Sequence, residues 1–267
     1  MLIAGIDIGS GTTKCVLVDE GRVIRGRGQV KTKADFEKVS REAMEAACAD
    51  AGAGAAAIGY VATTGLGRYA VSFRNIQITD LTCGARGAAT LFPEAGFVLD
   101  IGAQCSRAIR LREGGKVKEF HMNEKCAAGS GGFLERAAKY LEVTVADIGP
   151  MSLGATRPQA ISSVCAVLAE SEIINHVSEG VTVENILRGI HNSLADRALS
   201  LLKRVGMDGP VTFIGGVARQ AGMVVALKDK LGVQVNVPDG PEYTTALGAA
   251  LLGLQRYRKM ATTTAAA

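Results

Sequence analysis

The most constraining feature of this sequence is a pattern that occurs twice. A short apolar strand leads into Asp-Ile-Gly, a turn of small polar residues follows, and a second apolar strand comes next. The first copy carries Asp7 in the strand LIAGIDI, and the second carries Asp100 in the strand FVLDIG. Because repeated units of this kind indicate one ancestral design used twice, the sequence predicts an α/β protein with two similar lobes.

The composition excludes several classes of protein. Of the 267 residues, 48% are hydrophobic and 21% are charged, which is typical of a globular protein with a large core. A net charge of +4, the absence of Trp and only 4% aromatic residues give no support for nucleic-acid binding. No run of about 18 apolar residues is present to span a membrane, and no basic N-terminal segment marks a signal peptide. We therefore expect a cytoplasmic protein without a membrane or nucleic-acid partner.

Apolar periodicity and turn residues divide the chain into its expected parts. The first lobe should span residues 1–94 and the second 95–243, and a final helix at about 244–258 should pack back on the first lobe. The end of the chain, 259–267, is predicted to be a frayed tail. The spacing of apolar residues predicts further helices, at 35–50, 82–91, 132–141, 164–178, 183–205 and 219–231.

The first turn has the residues that a phosphate site needs. Glycine removes the Cβ atom that would keep a ligand away from the backbone, and backbone amides with small hydroxyls can surround phosphate oxygens. Asp7 can hold hydrated Mg²⁺, which prefers carboxylate and water oxygens. The residues assigned to phosphate are Gly9, Ser10, Gly11, Thr12 and Thr13. Taken alone, this turn also fits an ordinary β-hairpin.

The second turn and a later glycine pair add the remaining parts of a nucleotide site. Asp100 and Gly102 offer the same groups from the second lobe, so two hairpins facing across a cleft can clamp a triphosphate and its metal. Gly215-Gly216-Val217-Ala218 lies between a strand and a helix, where base and ribose can pass close to backbone. In this order, the three segments resemble those of the actin, sugar kinase and Hsp70 superfamily. The resemblance implies a two-lobe α/β fold with duplicated ribonuclease-H-like lobes.

The same resemblance assigns residues to a reaction. It implies that Asp7, Asp100 and Gln104 manage Mg²⁺ and water during ATP hydrolysis. It also implies that Ala103 joins Gly102 at the phosphates. The expected cofactors are therefore ATP or ADP and Mg²⁺.

Two of the six cysteines lie near the N-termini of predicted helices. Cys126 lies in NEKCAAGSGG, and Cys165 lies in AISSVCAVLAES. A helix N-terminus favours a thiolate, but two thiolates cannot hold a [4Fe–4S] cluster, which needs four. A twofold or pseudo-twofold dimer would supply two from each chain. From spacing alone, the alternative that both are small buried packing residues stays open.

Longer segments resemble one family closely. NEKCAAGSGGFLE, AISSVCAVLAESEII, ILRGIHNSLADR and IGGVA are similar to the activator ATPases of 2-hydroxyacyl-CoA dehydratases and the ATP-binding subunits of class I benzoyl-CoA reductase, over residues 3–256. The resemblance implies a dimer of this chain with itself or with a related ATPase subunit. One [4Fe–4S] cluster would bridge the dimer interface on Cys126 and Cys165, and Gly129 and Gly131 would lie at the nucleotide.

The resemblance also implies a function. ATP binding and hydrolysis would change the angle between the helices under the cluster. An electron from reduced ferredoxin or flavodoxin would then pass at very low potential to a partner that binds and reduces a CoA thioester. Cluster potential responds to charge, exposure and hydrogen bonding, so such a change has a physical basis.

One departure from the family pattern separates its two branches. The homodimeric activators usually read Asp-Ile-Gly-Gly-Gln-Asp at the second hairpin, whereas this sequence reads Asp100-Ile101-Gly102-Ala103-Gln104-Cys105. YVATTG at 60–65, CGARGA at 83–88 and RAI at 107–109 are also closer to the reductase subunits. We therefore predict an electron-activating ATPase subunit of the benzoyl-CoA reductase type.

Three alternative functions stay open: a homodimeric activator of a 2-hydroxyacyl-CoA dehydratase, an amino-sugar-type kinase on the same fold, and a non-enzymatic assembly module.

Glu170 and Glu172 flank the second cysteine segment, and we expect them to be cap or interface charges, with nucleotide sensing as the alternative. No metal role is assigned to the histidines. The remaining cysteines are expected to be packing residues, at 15, 48, 83 and 105.

Overall fold

Two five-stranded sheets form the frame of the protein. The structure, a computed structural model, describes residues 1–123, 129–162 and 166–265. It divides into two compact units. The first unit comprises Met1–Pro93, Arg112–Val117 and Glu242–Ala267, and the second comprises Glu94–Leu111 and Lys118–Pro241.

The first sheet has the order β3-β2-β1-β4-β5. β1 pairs antiparallel with β2, which pairs antiparallel with β3, and β4 lies parallel to both β1 and β5. The strands are β1 (Leu2–Ile8), β2 (Thr12–Asp19), β3 (Ile24–Lys31), β4 (Ile58–Gly65) and β5 (Ile76–Gln77).

The second sheet repeats this arrangement in the order β8-β7-β6-β9-β10. β6 pairs antiparallel with β7 and parallel with β9, and β9 pairs parallel with β10. The strands are β6 (Phe97–Ile101), β7 (Ser106–Arg112), β8 (Lys116–Asn123), β9 (Val211–Ile214) and β10 (Val235–Asn236). The equivalence of the two sheets confirms the predicted α/β fold with a duplicated ribonuclease-H-like strand order.

Helices cover both faces of the first sheet. α1 (Phe36–Asp50) covers one face, where Ala43 and Ala47 pack with the apolar side chains of β1 and β2. α8 (Thr244–Ala265) covers the other face, and α2 (Asp80–Leu91) packs beside it. Backbones approach closely here, because a methyl group at Gly248 would lie 1.8 Å from the Cys83 carbonyl oxygen. Small residues are therefore required along this helix pair.

The five helices described in the second unit share one hydrophobic core with the second sheet. This core includes Phe133, Ile148, Leu194 and Phe213, all nearly or fully buried. Burying a side chain of this size contributes about 1.5–3 kcal/mol. The helices are α3 (Gly131–Tyr140), α4 (Val145–Leu153), α5 (Ala166–Ser178), α6 (Val183–Arg204) and α7 (Ala221–Leu231).

Two elements differ from the sequence-based expectation. α4 is not predicted by the pattern because Gly149 and Pro150 interrupt it, but a capping box between Thr144 and Asp147 begins the helix. α8 extends to Ala265, so the expected frayed tail is helical through that residue. The hydroxyl of Thr262 donates to the Lys259 carbonyl at 2.9 Å, within the same helix.

No helix in the described ranges combines the length and the apolar character needed to cross a bilayer.

His191 is fully buried in the core of the second unit. Its Nδ1 lies 2.9 Å from Ser152 Oγ, and the Ser152 hydroxyl donates to the Gly149 carbonyl at 3.0 Å. With that hydroxyl proton directed at Gly149, a proton on His191 Nδ1 would complete the contact to Ser152. Burial, and secondarily the charge of Arg188, lower the pKa of His191 from 6.5 to about 4.

We predict that the free energy of unfolding falls by roughly 3 kcal/mol as the pH is lowered from about 6.5 to about 4 because of His191. In this window the unfolded chain binds a proton that the folded chain excludes, so acid favours unfolding. Urea unfolding across this pH range measures the slope of the free energy of unfolding against pH, and His191→Gln should flatten that slope. The control His121→Gln removes a partly exposed histidine outside the buried core. Equal slopes for both variants would contradict the assignment.

Candidate functional site

The first hairpin brings an acid and a base together. In the register of β1 and β2, Asp7 lies directly opposite Lys14. Lys14 Nζ is 3.7 Å from Asp7 Oδ2, and both side chains are largely buried. The same ammonium lies close to the loop, 3.5 Å from the position that a Cβ at Gly9 would take. A carboxylate and a cation thus share the base of the glycine loop.

Thr32 holds this loop in shape. Its hydroxyl donates to the Gly9 carbonyl at 2.8 Å, and its amide donates to the Gly11 carbonyl at 3.1 Å. The Thr32 hydroxyl oxygen also accepts from Thr13 Oγ1 at 2.9 Å. Thr13 is fully buried, so it supports the loop from inside. Ser10 and Thr12 are only partly buried.

A glycine at the end of β4 completes the surroundings of Asp7. Gly65 has a φ of +85°, and a Cβ there would lie 2.6 Å from Asp7 Oδ1 and 2.5 Å from the Ile8 carbonyl oxygen. Only glycine adopts this conformation in this space without strain. The Asp7 carboxylate therefore lies between the Lys14 ammonium and the bare backbone of Gly65.

The second hairpin repeats the pairing. Asp100 lies opposite Arg107 in the register of β6 and β7, and Arg107 Nη1 donates to Asp100 Oδ2 at 2.9 Å. Side-chain exposure is only 15% for Arg107 and 10% for Asp100, so the pair is shielded from solvent. The loop closes through a hydrogen bond of 2.9 Å from the Gly102 amide to the Cys105 carbonyl. Gln104 is exposed in this loop.

Gly215 occupies the place in the second unit that Gly65 has in the first. It follows β9 with a φ of +89°, and a Cβ there would lie 2.5 Å from Asp100 Oδ1 and 2.5 Å from the Ile101 carbonyl oxygen. Each unit therefore contains one acid–base–glycine set. The two sets are Asp7, Lys14 and Gly65 in the first unit, and Asp100, Arg107 and Gly215 in the second.

The predicted glycine segment at 129–131 packs against the second hairpin. The Gly131 amide donates to the Gly102 carbonyl at 2.9 Å, and the Gly132 amide donates to the Ala103 carbonyl at 2.8 Å. The Ser106 hydroxyl donates to the Gly129 carbonyl. A Cβ at Gly131 would also lie 3.2 Å from Val217 Cγ2, so the 215–218 segment meets the hairpin here.

Three members of these sets are missing from the sequence-based assignment: Lys14, Arg107 and Gly65. The two bases each stand seven positions after their acid, which is a repeated signal in the sequence. Gly65 ends the segment TTG as Gly215 ends FIG, one as the last residue of a strand and the other directly after it, and each of these strands pairs parallel with an acid-bearing strand. Both signals become interpretable only once the strand pairing is known.

The chemistry of each set fits a magnesium nucleotide. A carboxylate supplies oxygen ligands for Mg²⁺, and a cation with exposed backbone amides suits phosphate. The glycine lets the backbone lie directly against the carboxylate, where a Cβ would clash with it. The donor set therefore fits Mg²⁺ with a phosphate chain.

The cysteines predicted to bind iron, Cys126 and Cys165, lie outside the described residues. Cys15, Cys48 and Cys83 are buried, which confirms their predicted packing role. Burial raises the pKa of the Cys83 thiol to about 12, and it also raises the pKa of Cys15 and Cys48. Within the described parts of the chain, no three His, Cys, Asp or Glu residues cluster closely enough to hold a metal ion.

Comparison with known proteins gives consistent matches. Residues 4–253 match the model of the BadF/BadG/BcrA/BcrD ATPase family. A benzoyl-CoA reductase subunit from Thauera aromatica is 43% identical over 97% of this chain and 95% of its own. The activator of 2-hydroxyisocaproyl-CoA dehydratase from Clostridium difficile, with bound ADPNP, superposes with a TM-score of 0.94 at 37% identity, covering 98% of each chain.

A more distant match shows the fold alone. A ROK family glucokinase from Streptomyces griseus superposes with a TM-score of 0.58 at 15% identity, over 96% of this chain and 100% of its own. The chain therefore shares the fold of this sugar kinase, in agreement with the two-lobe α/β fold that the sequence predicts.

We predict that Gly65→Ala and Gly215→Ala each lower the free energy of unfolding by about 2–5 kcal/mol. The positive φ costs about 1–2 kcal/mol, and overpacking against the acid adds about 1–3 kcal/mol. Gly52→Ala and Gly232→Ala are controls for a positive φ without crowding, because they have φ of +60° and +64° and nothing within 4 Å of the added Cβ. Urea unfolding should show that each control loses only the stability that corresponds to the positive φ, without the overpacking cost. A loss at Gly65 no larger than at Gly52 would show that Asp7 is not held against the glycine.

Proposed function

Because this chain belongs to the BadF/BadG/BcrA/BcrD ATPase family, we propose that it binds and hydrolyses ATP to drive electron transfer. The electrons would pass from a [4Fe–4S] cluster in a dimer interface to a partner that reduces a CoA thioester. The observation that carries the ATP-binding part is the acid–base–glycine set, which occurs once in each unit.

In this proposal, the two members of each ion pair take different parts of the nucleotide. Lys14 and Arg107 bind phosphate oxygens, and Asp7 and Asp100 turn to Mg²⁺ and its water ligands. The pairs hold the site ready without leaving a shielded charge uncompensated. Phosphate also approaches the open loop backbone, at Gly9, Ser10, Gly11 and Thr12 in one unit and Gly102 and Ala103 in the other.

Residues 215–218 are proposed to pass beside the nucleoside. Gln104, exposed in the second loop, is proposed to orient the attacking water. Mg²⁺, when bound, neutralises charge that develops on the phosphates. Thr13 and Gly131 act indirectly in this proposal, because their polar groups already hold the loops.

The electron-transfer part rests on family membership and on the sequence. Cys126 and Cys165 supply two thiolates from each chain, and two chains supply the four that a [4Fe–4S] cluster requires. The cluster, when bound, stores and releases one electron at low potential. Reduced ferredoxin or flavodoxin is the proposed donor, and the partner chain is this protein itself or a related ATPase subunit.

We propose a benzoyl-CoA reductase rather than a dehydratase as the partner system. The identity of 43% to the benzoyl-CoA reductase subunit from Thauera aromatica supports this choice. Cys105, which stands where the homodimeric activators usually carry an acid, supports it independently. The second candidate is the homodimeric activator of a 2-hydroxyacyl-CoA dehydratase, which the similarity to the Clostridium difficile activator favours.

We predict that anaerobically purified dimer contains about four iron and four sulfide, because one cluster bridges the two chains. Cys126→Ala and Cys165→Ala should each abolish both, whereas Cys83→Ala, which removes a buried packing thiol, should keep them. Iron and sulfide assays with the visible spectrum measure this, on the chain alone and with co-purifying partners. A cluster found only with a related subunit supports the reductase type. A colourless protein that hydrolyses ATP in every complex refutes electron transfer and favours a kinase.

We predict that Arg107→Met weakens binding of Mg·ADPNP by about 10- to 100-fold, because a charge-assisted contact to phosphate is lost. Lys14→Met should have the same effect from the first unit. Arg110→Met is the matched control on the same strand, since Arg110 faces Asp208 instead of the hairpin acid. Titration calorimetry measures the affinities, and Arg107→Lys should restore most of the binding. Equal affinities for Arg107→Met and Arg110→Met would contradict the phosphate role.

A further inference from the structure

Glu170 connects the two helices that follow the cysteine segments. α3 begins at Gly131, after the segment with Cys126, and α5 begins at Ala166, after Cys165. We infer that Glu170 is a positioning residue, through which α3 transmits the nucleotide state of the second hairpin to α5. This inference rests on the proposed function, because it requires that the hairpin binds nucleotide phosphate.

The first turn of α3 is attached to the hairpin by its backbone. The amides of Gly131 and Gly132 donate to the carbonyls of Gly102 and Ala103 at 2.9 and 2.8 Å. A Cβ at Gly132 would lie 3.0 Å from the Ala103 carbonyl oxygen, so the contact is close. These amides are among those that a helix cannot satisfy internally. A shift of the hairpin loop must therefore move or break the start of α3.

The last turns of α3 are attached to α5 by side chains. Arg136 Nε donates to Glu170 Oε1, and the Tyr140 hydroxyl donates to Glu170 Oε2 at 3.2 Å. Arg136 and Tyr140 are four residues apart, so they lie on one face of the helix. Both carboxylate oxygens of Glu170 are thus engaged by α3, and the side chain is only 18% exposed.

α3 is short and well packed, so it can carry a displacement from one end to the other. Its ten residues span about 15 Å. Phe133 and Ala137 are fully buried on its inner face. A helix packed in this way shifts as a body instead of bending. The hairpin contact and the Glu170 contact therefore lie at opposite ends of one rigid element.

α5 receives this contact near its own start. Glu170 lies in its second turn, and Ala169 and Ile173 are fully buried beside it. Glu172 makes a different contact, because its Oε2 accepts from the Ser162 amide at 2.5 Å. The two glutamates therefore have separate roles. Glu170 connects α5 to α3, and Glu172 connects α5 to the chain that precedes it.

Hydrogen exchange of the intact dimer tests this inference directly. Exchange in peptides covering 168–178 is compared without nucleotide, with Mg·ADP and with Mg·ADPNP. In the wild type, we expect exchange of α5 to change by about fivefold or more between nucleotide states. Glu170→Gln keeps the shape and removes the charge, and it should reduce that difference to within about twofold while nucleotide still binds.

Glu172→Gln is the matched control, with the same substitution on the same helix, and it should keep the wild-type difference. Tyr140→Phe removes the hydroxyl that donates to Glu170. The difference in α5 exchange between nucleotide states should then be intermediate, and this variant is informative even if Glu170→Gln folds poorly. The double variant Arg136→Glu with Glu170→Arg exchanges the two charges and should restore the nucleotide-dependent difference in α5 exchange. A purely structural role of Glu170 would not require this restoration.

The outcomes separate this inference from the proposed function. If Glu170→Gln and Tyr140→Phe retain the full response while nucleotide binds, the coupling through Glu170 is wrong and the ATPase function stands. If wild-type α5 shows no nucleotide-dependent exchange although nucleotide binds, the coupling is again wrong. If the wild type binds no Mg·ADP or Mg·ADPNP in calorimetry, the proposed function fails, and the inference fails with it.

Discussion

The acid–base pair across the first hairpin of each sheet is the interaction on which the site depends. Its geometry follows from register: Ile8 pairs with Thr13, and Ile101 pairs with Ser106. Both hairpins therefore leave the same number of residues in the loop and bring the acid opposite its base. Because side chains alternate between the faces of a strand, a change of register by one residue would move the base to the other face. The duplication thus preserves a register as well as a fold.

The sequence alone predicts the two hairpins, their acids and Gly215, because each has a local signal. Asp7 and Asp100 each stand one residue before the end of an apolar strand that leads into glycine, and Gly215 lies between a strand and a helix. Lys14 and Gly65 have no such local signal. Each becomes a neighbour of Asp7 only through pairing with another strand, antiparallel in one case and parallel in the other. Strand pairing of this kind depends on the tertiary fold, so a single sequence does not show which residues become neighbours.

Small and polar loop residues are the second place where sequence reasoning is incomplete. Thr13 and Gly131 carry groups that suit phosphate, yet the Thr13 hydroxyl is engaged by Thr32 and the Gly131 amide by Gly102. The same hydroxyls and amides that bind a ligand also satisfy the loop itself. Sequence identifies the loop as polar and close-packed, but only the hydrogen bonds show which groups face inward.

The ion pairs also bear on the choice of ligand. Arg107 and Asp100 are mostly shielded from solvent, so removing one member would leave an uncompensated charge, which is strongly unfavourable. A phosphate alone could attract the base but would leave the acid exposed to its negative charge. Mg²⁺ alone could attract the acid but would repel the base. A magnesium nucleotide supplies a positive and a negative charge together. The acid can then exchange the base for Mg²⁺ while the base exchanges the acid for phosphate, so neither charge is left uncompensated. Two such pairs, one in each unit, therefore favour the metal–nucleotide complex over either component.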